Sequence, residues 1–441
     1  MKWILGTLAL LMVGLVFKLS LLVYAMYVLL GVLGLSRFFS RTWTAQLAAR
    51  RSCTGEVFEI GECAEVTVEV ENTGRLTVPW LIIEESVPRE AMWQTPPGLN
   101  VEGERLDLTR LAPGETTTLT YQVTFRRRGY YQLGPVLLET GDVFGLHRRY
   151  RVATEPHFAL VLPKVLPLSG YNLASRRPLG EIRVVHRMFE DPTRLAGVRP
   201  YQQGDPLRRI HWRATARTGV IHSRLYEHSR VAGATFLLDF HTQSYQGAGA
   251  NTSAELAIVT VAALANAVFL MGQQTGLISN GRDAADRIRE QGWRADFISR
   301  ADARRRADEP AANDRLQPVR VETRRGGETL RQILKTLARL EHTDGLDFAE
   351  MLAAATWQIP RDATVVPVLR HVTPETAIAL GGLVRRGFLV TVVVAAFEKE
   401  PVPDWAQPPE WAGLLLAQGI DFRMVNSEEA VMNLCTEAIV K

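Results

Sequence analysis

The chain has 441 residues, enough for two or three domains. Its 51 Lys and Arg side chains nearly balance 47 Asp and Glu, and a net charge of +4 gives no chain-wide attraction to nucleic acid. The three cysteines, Cys53, Cys63 and Cys435, cannot all pair and lack the spacing of metal ligands. Composition therefore favours a globular protein of a reducing compartment.

Two uncharged apolar runs, residues 3–17 and 19–35, open the chain on either side of Lys18. Each run is close to the length that spans about 30 Å of hydrocarbon as a helix. We predict a helical hairpin with its turn at Lys18, and one long tilted helix is the alternative. A cleaved signal peptide is disfavoured because no small-x-small cleavage site precedes the second run.

Arginines follow these runs directly, at Arg37, Arg41, Arg50 and Arg51. Positive charge beside a spanning segment favours the cytoplasmic side. Residues 1–36 are therefore predicted to form two transmembrane helices in the inner (plasma) membrane, with the bulk of the chain in the cytoplasm.

Short alternating strands with turn signals dominate residues 52–160. EVTVEVENTG, residues 65–74, alternates apolar and polar residues and ends at a turn, and LAPGETTTLTYQVTFRRRG, residues 111–129, supplies a Pro-Gly turn and another alternating strand. This pattern predicts an antiparallel β-sandwich. Residues 161–198 carry repeated prolines and weak periodicity, which predicts an extended segment, so residues 161–230 are assigned to a linker with the arginine-rich stretch described below.

Residues 231–441 alternate apolar strands with helices, which predicts a doubly wound, mostly parallel sheet. The predicted strands are 234–240, 274–279, 363–369, 388–395 and 421–425, and the predicted helices are 253–271, 328–340, 346–356, 374–387 and 408–418. Helix 253–271 is apolar enough to span a membrane, but its place in the alternation favours a core helix that begins at a Ser253 cap. Residues 282–328 are rich in charge and predict a solvated insert.

The stretch RPYQQGDPLRRIHWRATARTG, residues 199–219, combines five arginines with a helix signal. Asp205 followed by proline marks a helix start, and Gly219 marks a helix stop. On that helix Leu207, Ile210 and Ala214 share an aliphatic face, and Arg209, Arg213 and Arg217 form an adjacent stripe. Because Trp212 points away from the aliphatic face, we expect the helix to lie buried between two bodies. Residues 220–229 then alternate like a strand and are expected to pair beside residues 234–240.

This arginine stripe is compatible with three functions. It can lock domains together through bidentate pairs with carboxylates that lie close in sequence, namely Asp205, Glu190, Asp191 and Glu227. It can also form a partner-binding surface, or bind phosphates with aromatic stacking on bases. The acidic neighbours favour the internal lock.

Residues 199–219, the following SRLYEHS and a strand that ends in Asp239 resemble the signature of the bacterial family called domain of unknown function 58. GEVFEIGECAEVTVEVENTG, FRRRGYYQLGPVLLETGDVFGL and the paired apolar runs resemble the amino-terminal half of the same family. The resemblance implies two membrane helices, a β-sandwich and a von Willebrand factor A-like domain, often encoded beside a MoxR-type AAA+ ATPase. The family has no established reaction.

Asp239 stands at the end of a predicted strand, where ligands gather in α/β sheets. Von Willebrand factor A-like domains hold a divalent ion there with an Asp-x-Ser-x-Ser motif. In this chain His241 and Gln243 replace both hydroxyl ligands, and Ser244 comes one place late. A structural Asp239 that caps the following turn is therefore favoured over a metal ligand. No Gly-Lys pair of a P-loop, no His-Glu-x-x-His and no Gly-x-Ser-x-Gly occurs in the sequence.

The sequence thus predicts a multidomain protein with a transmembrane hairpin, an antiparallel β-sandwich and a von Willebrand factor A-like α/β domain. The expected function is a membrane-anchored, non-enzymatic interaction or assembly protein that acts with a MoxR-type AAA+ ATPase, without a cofactor or a nucleic-acid partner. The signature residues expected to hold the domain junction or bind the partner are Arg199, Tyr201, Gly204, Asp205, Arg209, His211, Trp212, Arg213, Ala216 and Arg217. Two alternatives stay open: an enzyme or metal-dependent adhesion domain that uses Asp239 with His211 or His241, and a nucleic-acid binder.

Overall fold

The computed structural model describes residues 2–88, 91–92, 97–143, 145, 147–168, 190–200, 211–228, 233–247, 249–286, 316–361, 363–396 and 410–434. The chain divides into two compact units. The first is mainly Met1–Lys164, and the second is mainly Val165–Arg282, Asp314–Leu337 and Glu341–Lys441.

Two helices open the first unit, α1 (Lys2–Val16) and α2 (Ser20–Ala45), and they pack against each other. Lys18 lies in the turn between them with φ 54, a left-handed conformation that is uncommon for a residue with a side chain. The predicted hairpin with its turn at Lys18 is therefore confirmed. Helix α2 continues past the predicted end at residue 36.

The surroundings of α2 change along its length. By length and composition α2 can cross a membrane, and little of its apolar part is buried inside the protein. From Leu33 onward one face is buried, at Leu33, Ser36, Ser40 and Trp43. Trp43 joins the hydrophobic core of the strands that follow and stacks on Phe39 with ring centroids 5.3 Å apart. One continuous helix thus runs from an exposed apolar segment into the core of the first unit.

The rest of the first unit consists of short strands. They are β1 (Leu47–Cys53), β2 (Val57–Phe58), β3 (Cys63–Asn72), β4 (Val78–Glu85), β5 (Leu99–Gly103), β6 (Leu106–Leu111), β7 (Thr116–Phe125), β8 (Gly129–Leu133), β9 (Val136–Gly141), β10 (Arg148–Val152) and β11 (His157–Val161). Two four-stranded antiparallel sheets have the orders β1-β3-β7-β5 and β10-β9-β4-β6, and β2-β11-β8 forms a third sheet. Alternate residues of β3 and β7 are buried, as the alternating sequence predicts.

A buried ion pair lies inside the core between these strands. Arg51 Nη2 lies 2.6 Å from Glu85 Oε1, and the Glu85 side chain has no exposed surface. Arg51 Nη1 donates to the carbonyl oxygens of Leu133 at 3.0 Å and Glu155 at 2.9 Å. Burial raises the pKa of Glu85 to about 7, although Arg51 and Tyr121 oppose that rise. Burial also raises the pKa of Tyr121, and the Glu85 charge raises it further.

The second unit contains a six-stranded sheet and a separate two-stranded ribbon. Its strands, together with the short pair of β16 and β18, are β12 (Glu190–Pro200), β13 (His222–His228), β14 (Gly233–Leu238), β15 (Gln274–Ser279), β16 (Arg282–Asp283), β17 (Val319–Arg324), β18 (Leu340–Glu341), β19 (Ala363–Leu369), β20 (Thr391–Ala395) and β21 (Asp421–Val425). Its helices include α3 (Trp212–Thr218), α4 (Ala250–Leu270), α5 (Gly327–Arg339), α6 (Phe348–Ala355), α7 (Pro374–Arg385), α8 (Glu410–Ala417) and α9 (Glu428–Asn433).

The six-stranded sheet has the order β17-β15-β14-β19-β20-β21, and all its neighbours are parallel except β15 and β17. This is the doubly wound, mostly parallel arrangement that the sequence predicts. The chain reverses its direction of progress between β14 and β19, so the carboxyl ends of those two strands flank the switch point where ligands bind in such sheets.

Strand β17 contradicts part of the predicted solvated insert at 282–328. Val319 and Val321 are buried, whereas Arg320 and Glu322 between them are exposed. An edge strand that buries one side tolerates charges on the other, and this alternation was obscured by the high charge of the segment. Residues 287–315 of the predicted insert lie outside the described residues.

Helix α4 is the predicted core helix, since most of its apolar residues are buried and it packs against β14, β15, β19 and β20. The predicted Ser253 cap is wrong. Gly249 is the N-cap, and the Ser253 amide donates to the Gly249 carbonyl at 2.9 Å inside the first turn. The helix begins one turn earlier because Ala250, Asn251 and Thr252 continue the helical backbone.

The two-stranded ribbon corrects two further predictions. Strand β13 pairs with β12, with Arg199 opposite Ser223, and it does not pair beside β14. Both neighbours of β14 are strands of the parallel sheet, so no edge of β14 is free. Residues 190–198 of the predicted linker are part of β12, and residues 169–189 lie outside the part of the chain described.

Candidate functional site

Helix α3 is the described part of the arginine-rich stretch. His211 is its N-cap, with φ −93 and ψ 83, and its Nδ1 accepts from the Ala214 amide at 3.0 Å. Gly219 ends the helix at φ 72, which confirms the predicted stop, and its amide donates to the Thr215 carbonyl at 2.9 Å. The predicted helix does not run unbroken to Gly219, because His211 has a non-helical backbone and α3 begins at Trp212; residues 201–210, Asp205 included, lie outside the described residues.

Polar contacts attach α3 to the start of β13. The His211 amide donates to the His222 carbonyl at 2.8 Å, and the His222 amide donates to Thr215 Oγ1 at 3.0 Å. Thr218 Oγ1 lies 3.1 Å from His222 Nδ1. These bonds fix the side of α3 that carries His211 and Thr215 and leave its other side outward.

The outward side of α3 is exposed. Trp212 is 68% exposed, and Arg213, Ala216 and Arg217 are exposed beside it. No residue of α3 is buried, so the expected burial of this helix between two bodies is wrong. The polar attachment through His211 and Thr215 explains the difference, since it needs no apolar face to hold the helix. We call Trp212, Arg213, Ala216 and Arg217 the α3 face.

The other predicted signature residues have different positions. Arg199 lies on β12, and Tyr201, Gly204, Asp205 and Arg209 lie outside the described residues. Their pairing with carboxylates therefore stays a prediction. The structure brings together His211, Trp212, Arg213, Ala216 and Arg217 on one short helix.

A second polar cluster lies at the carboxyl ends of β14 and β15. Asp239 follows β14 directly and is buried, and its Oδ1 accepts from Asn280 Nδ2 at 2.8 Å and from the His241 amide at 3.2 Å. Asn280 Oδ1 accepts from the Phe240 amide at 2.6 Å, and Asn280 Nδ2 also donates to the Leu346 carbonyl at 3.1 Å. Asp239 Oδ2 makes no hydrogen bond to any part of the chain that is described. Asp239 is thus held in place through one oxygen.

Residues after β19 complete this cluster. Arg370 is buried, and its Nη1 donates to the carbonyl oxygens of Gln246 at 2.8 Å and Ser244 at 3.4 Å. His371 follows it; partial burial lowers the pKa of His371, Arg370 lowers it further, and Asp239 opposes the change. An uncharged His371 near Asp239 is the form favoured at neutral pH. We call Asp239, Asn280, Arg370 and His371 the strand-end cluster.

The predicted metal motif fits this geometry poorly. His241 Nδ1 accepts from the Gln243 amide at 3.3 Å, which makes His241 a cap of the turn Thr242–Tyr245. The Ser244 carbonyl accepts from Arg370. Within the described ranges no three His, Cys, Asp or Glu side chains gather as a metal site. The contacts of Asp239 and His241 instead match the structural reading, in which they organise the turn after β14.

Sequence reasoning missed Asn280, Arg370 and His371. Asn280 simply follows the predicted strand 274–279, and Arg370 and His371 follow the predicted strand 363–369. Their positions in the sheet identify them. Arg370 and His371 follow β19, one of the two strands at the switch point, and Asn280 follows β15, which pairs with β14, the other strand there. Strand order, which needs tertiary pairing, is required before those positions can be used.

Residues 197–313 match the model of a family described as "Protein of unknown function DUF58". The match includes α3, β13, β14 and Asp239, and it supports the family resemblance of the signature stretch. No curated protein matches the chain.

Several solved structures share short stretches of similarity. The crystal structure of a CARDB domain from Pyrococcus furiosus in complex with di-metal ions is 16% identical, covers 26% of this chain and 87% of that chain, and has a TM-score of 0.20. A native alpha-2-macroglobulin fragment from Escherichia coli is 15% identical, covers 28% of this chain and 18% of that chain, and has a TM-score of 0.22. A FixG-related protein from Vibrio parahaemolyticus is 8% identical over 26% of this chain and 96% of that chain, with a TM-score of 0.18. Scores this low carry no argument about function.

Proposed function

We propose that this chain is a membrane-anchored, non-enzymatic interaction protein that presents the α3 face to a protein partner in the cytoplasm. The anchoring is supported by α1 and α2, two apolar helices joined by a tight turn at Lys18. Residues 20–35 of α2 rise about 24 Å at about 1.5 Å per residue, close to the thickness of a hydrocarbon core. The arginines that follow favour the cytoplasmic side for the two units.

The observation that carries the proposal is the exposure of Trp212. A tryptophan that is 68% exposed offers a large apolar area to a partner, and tryptophan and arginine are the residues enriched where binding energy concentrates. Arg213 and Arg217 lie one turn apart beside it and suit an acidic or polar rim on the partner. The caps at His211 and Gly219 hold this face in a defined shape, which lowers the entropic cost of binding.

The family resemblance suggests the partner, a MoxR-type AAA+ ATPase. The strand order β17-β15-β14-β19-β20-β21, with β17 antiparallel, supports a von Willebrand factor A-like assignment for the second unit. In this proposal the chain holds the ATPase at the membrane and takes no part in chemistry. The internal lock predicted from the sequence is less well supported, since the α3 face lies in solvent.

The test uses the full chain in membranes and compares two exposed tryptophans. Trp212→Ala removes the centre of the α3 face, and Trp357→Ala removes a tryptophan that is 78% exposed on the turn Thr356–Gln358. We expect the wild type and Trp357→Ala to co-purify the ATPase and change its rate of ATP hydrolysis, and Trp212→Ala to lose both effects. Recovery of no ATPase by the wild type, or equal recovery by both variants, would refute the proposal.

The strand-end cluster supports a second candidate, binding of a small polar ligand or divalent ion. The observation that favours it is Asp239 Oδ2, which makes no hydrogen bond to the described residues although Oδ1 is held by two donors. Mg²⁺ and Mn²⁺ titrations of the full chain, followed by calorimetry, test it with Asp239→Asn against Asp344→Asn as a control in a nearby turn. Heat of binding that survives in Asp239→Asn, or is absent in the wild type, removes this candidate.

The α3 face also bears on the nucleic-acid alternative. Phosphate-dominated binding would fall steeply with salt, whereas a partner surface centred on Trp212 would be far less sensitive. Binding of an oligonucleotide at low salt that disappears in Arg213→Gln/Arg217→Gln would favour the alternative.

A further inference from the structure

Three arginines form a cluster where α2 meets the β-sandwich. Arg37 and Arg41 lie one turn apart on α2, so their side chains share a face of the helix. Arg149 lies on β10, and α2 packs against both β9 and β10. Partial burial lowers the pKa of Arg149, and the charges of Arg41 and Arg37 lower it further. The 2.6 Å contact between Ser36 Oγ and His147 Nδ1 holds this part of α2 against the start of β10, so the three like charges lie in one region of the first unit.

Carboxylates accompany other arginines of this unit but not these three. Arg148 faces Glu139 at 3.9 Å, and Arg51 is paired with Glu85. Over the residues that the structure describes, no salt bridge joins Arg37, Arg41 or Arg149 to an acidic side chain. Like charges four residues apart destabilise a helix, and a third charge from β10 adds to that cost. An external anion would relieve the repulsion.

The surroundings of the cluster indicate where that anion comes from. Leu35 and Phe38 are large apolar side chains that remain exposed, at 58% and 60%. Ser36 and Ser40 are buried on the side of α2 opposite Leu35 and Phe38. Ser36 Oγ lies 2.6 Å from Nδ1 of His147, the residue directly before β10. The cluster thus lies at the end of the exposed apolar segment, with apolar side chains beside it, which is the level of the lipid headgroups for an anchored chain.

We propose that Arg37, Arg41 and Arg149 form a binding site for the phosphate of an anionic phospholipid headgroup. This inference rests on the membrane anchoring in the proposed function, but not on the protein partner. The planar guanidinium donates two parallel hydrogen bonds to phosphate oxygens, and basic residues next to a spanning segment attract anionic lipid. Free phosphate offers the same oxygens, but only a lipid also supplies chains that cover Leu35 and Phe38.

The experiment measures lipid binding to the full chain in neutral detergent by native mass spectrometry, with phosphatidylglycerol and phosphatidylcholine as probes. The test variant is Arg37→Gln/Arg41→Gln/Arg149→Gln. The matched control removes three exposed arginines elsewhere on the sandwich, Arg75→Gln/Arg110→Gln/Arg126→Gln. A third variant, Arg37→Lys/Arg41→Lys/Arg149→Lys, keeps the charge and removes the planar fork.

We expect the wild type and the control to prefer phosphatidylglycerol, and the test variant to lose roughly tenfold or more in affinity for that lipid. The lysine variant is expected to fall between them because the charge remains. Equal binding of both lipids by the wild type, or an equal loss in the test variant and the control, would overturn the site. Abolition of the preference by inorganic phosphate at constant ionic strength would assign the site to a free anion and overturn the lipid proposal.

Membrane fractionation with alkaline carbonate separates this outcome from failure of the anchor. A wild-type chain that stays in the membrane fraction but shows no lipid preference refutes only the headgroup site. A chain that is extracted refutes the anchoring and the site together, whatever the ATPase experiment shows.

Discussion

Removing the cation from the buried ion pair should destabilise the first unit strongly. In Arg51→Met the aliphatic body of the side chain is kept, but the Glu85 carboxylate, with no exposed surface, loses the guanidinium 2.6 Å away. Breaking a buried pair from one side costs about 3–5 kcal/mol. The lost hydrogen bonds to the carbonyl oxygens of Leu133 and Glu155 are part of that cost. We therefore expect the free energy of unfolding of this unit to fall by about 4 kcal/mol at pH 8.

The same reasoning predicts that the double variant is better than either single variant. In Arg51→Met/Glu85→Leu both charges are gone, so no buried charge is left unpaired, and replacement of a whole pair by apolar residues is often nearly neutral. We expect the double variant to lie within about 2 kcal/mol of the wild type. The penalty of Arg51→Met should also shrink at pH 5, since a Glu85 whose pKa is already about 7 then takes up a proton.

Hydrogen exchange of the full chain in detergent, read by mass spectrometry on the peptide that contains β4, measures these changes locally. A loss of about 4 kcal/mol accelerates exchange by roughly a thousandfold. The peptide of β19, in the other unit, serves as the internal control. Single variants that exchange like the wild type, or a double variant that is as unstable as the two single losses combined, would refute the reasoning.

Three further outcomes are expected. The raised pKa of Glu85 gives the wild type a stabilisation of up to about 3 kcal/mol that is complete below pH 4.5 and is lost as the pH rises through about 7. In Glu85→Gln this pH dependence of the free energy of unfolding should vanish, and hydrogen exchange of β4 measured across that pH range checks it. Gly134→Ala should destabilise the sandwich by more than about 1 kcal/mol, because its backbone has φ 88 and an added Cβ would overlap the Arg51 guanidinium; thermal unfolding that matches the wild type would contradict this. Phe236→Ala, at the centre of β14, should cost about 3–5 kcal/mol of the second unit, seen as faster exchange of β14 and β19 with β4 unchanged.

The elements with a strong period were predictable from the sequence. The alternating residues of β3 predict a strand buried on one side, and the continuous apolar run of β19 predicts a strand buried on both sides. Lys18, the single charge between two apolar runs, marks the turn between the two helices. The wrong predictions concern strands whose neighbours are set by tertiary pairing. Strand β13 has the same local pattern whether it joins β12 or β14, and the short valine alternation of β17 is visible only once a sheet edge is there to receive it.

The two candidate sites differ in the same way. The end of α3 at Gly219 was predictable from the sequence, because the left-handed backbone that ends a helix favours glycine wherever the helix lies in the fold. The true start was concealed because His211 caps the helix with a ring nitrogen, a rarer device than the Asp-Pro signal six residues earlier. The strand-end cluster joins residues from three separate strands, so its composition follows from sheet order and from no single stretch of sequence.

The unbroken course of α2 has a mechanical consequence. A continuous helix of 26 residues that ends with Trp43 in the core of the unit is a rigid connection, whereas a glycine-rich linker would be flexible. In an anchored chain the sandwich cannot swing freely below the bilayer: a torque applied to it tilts the helix, and a change in bilayer thickness that tilts the helix reorients the sandwich. In such a chain, force on the sandwich and strain in the lipid would be transmitted to each other through this one helix.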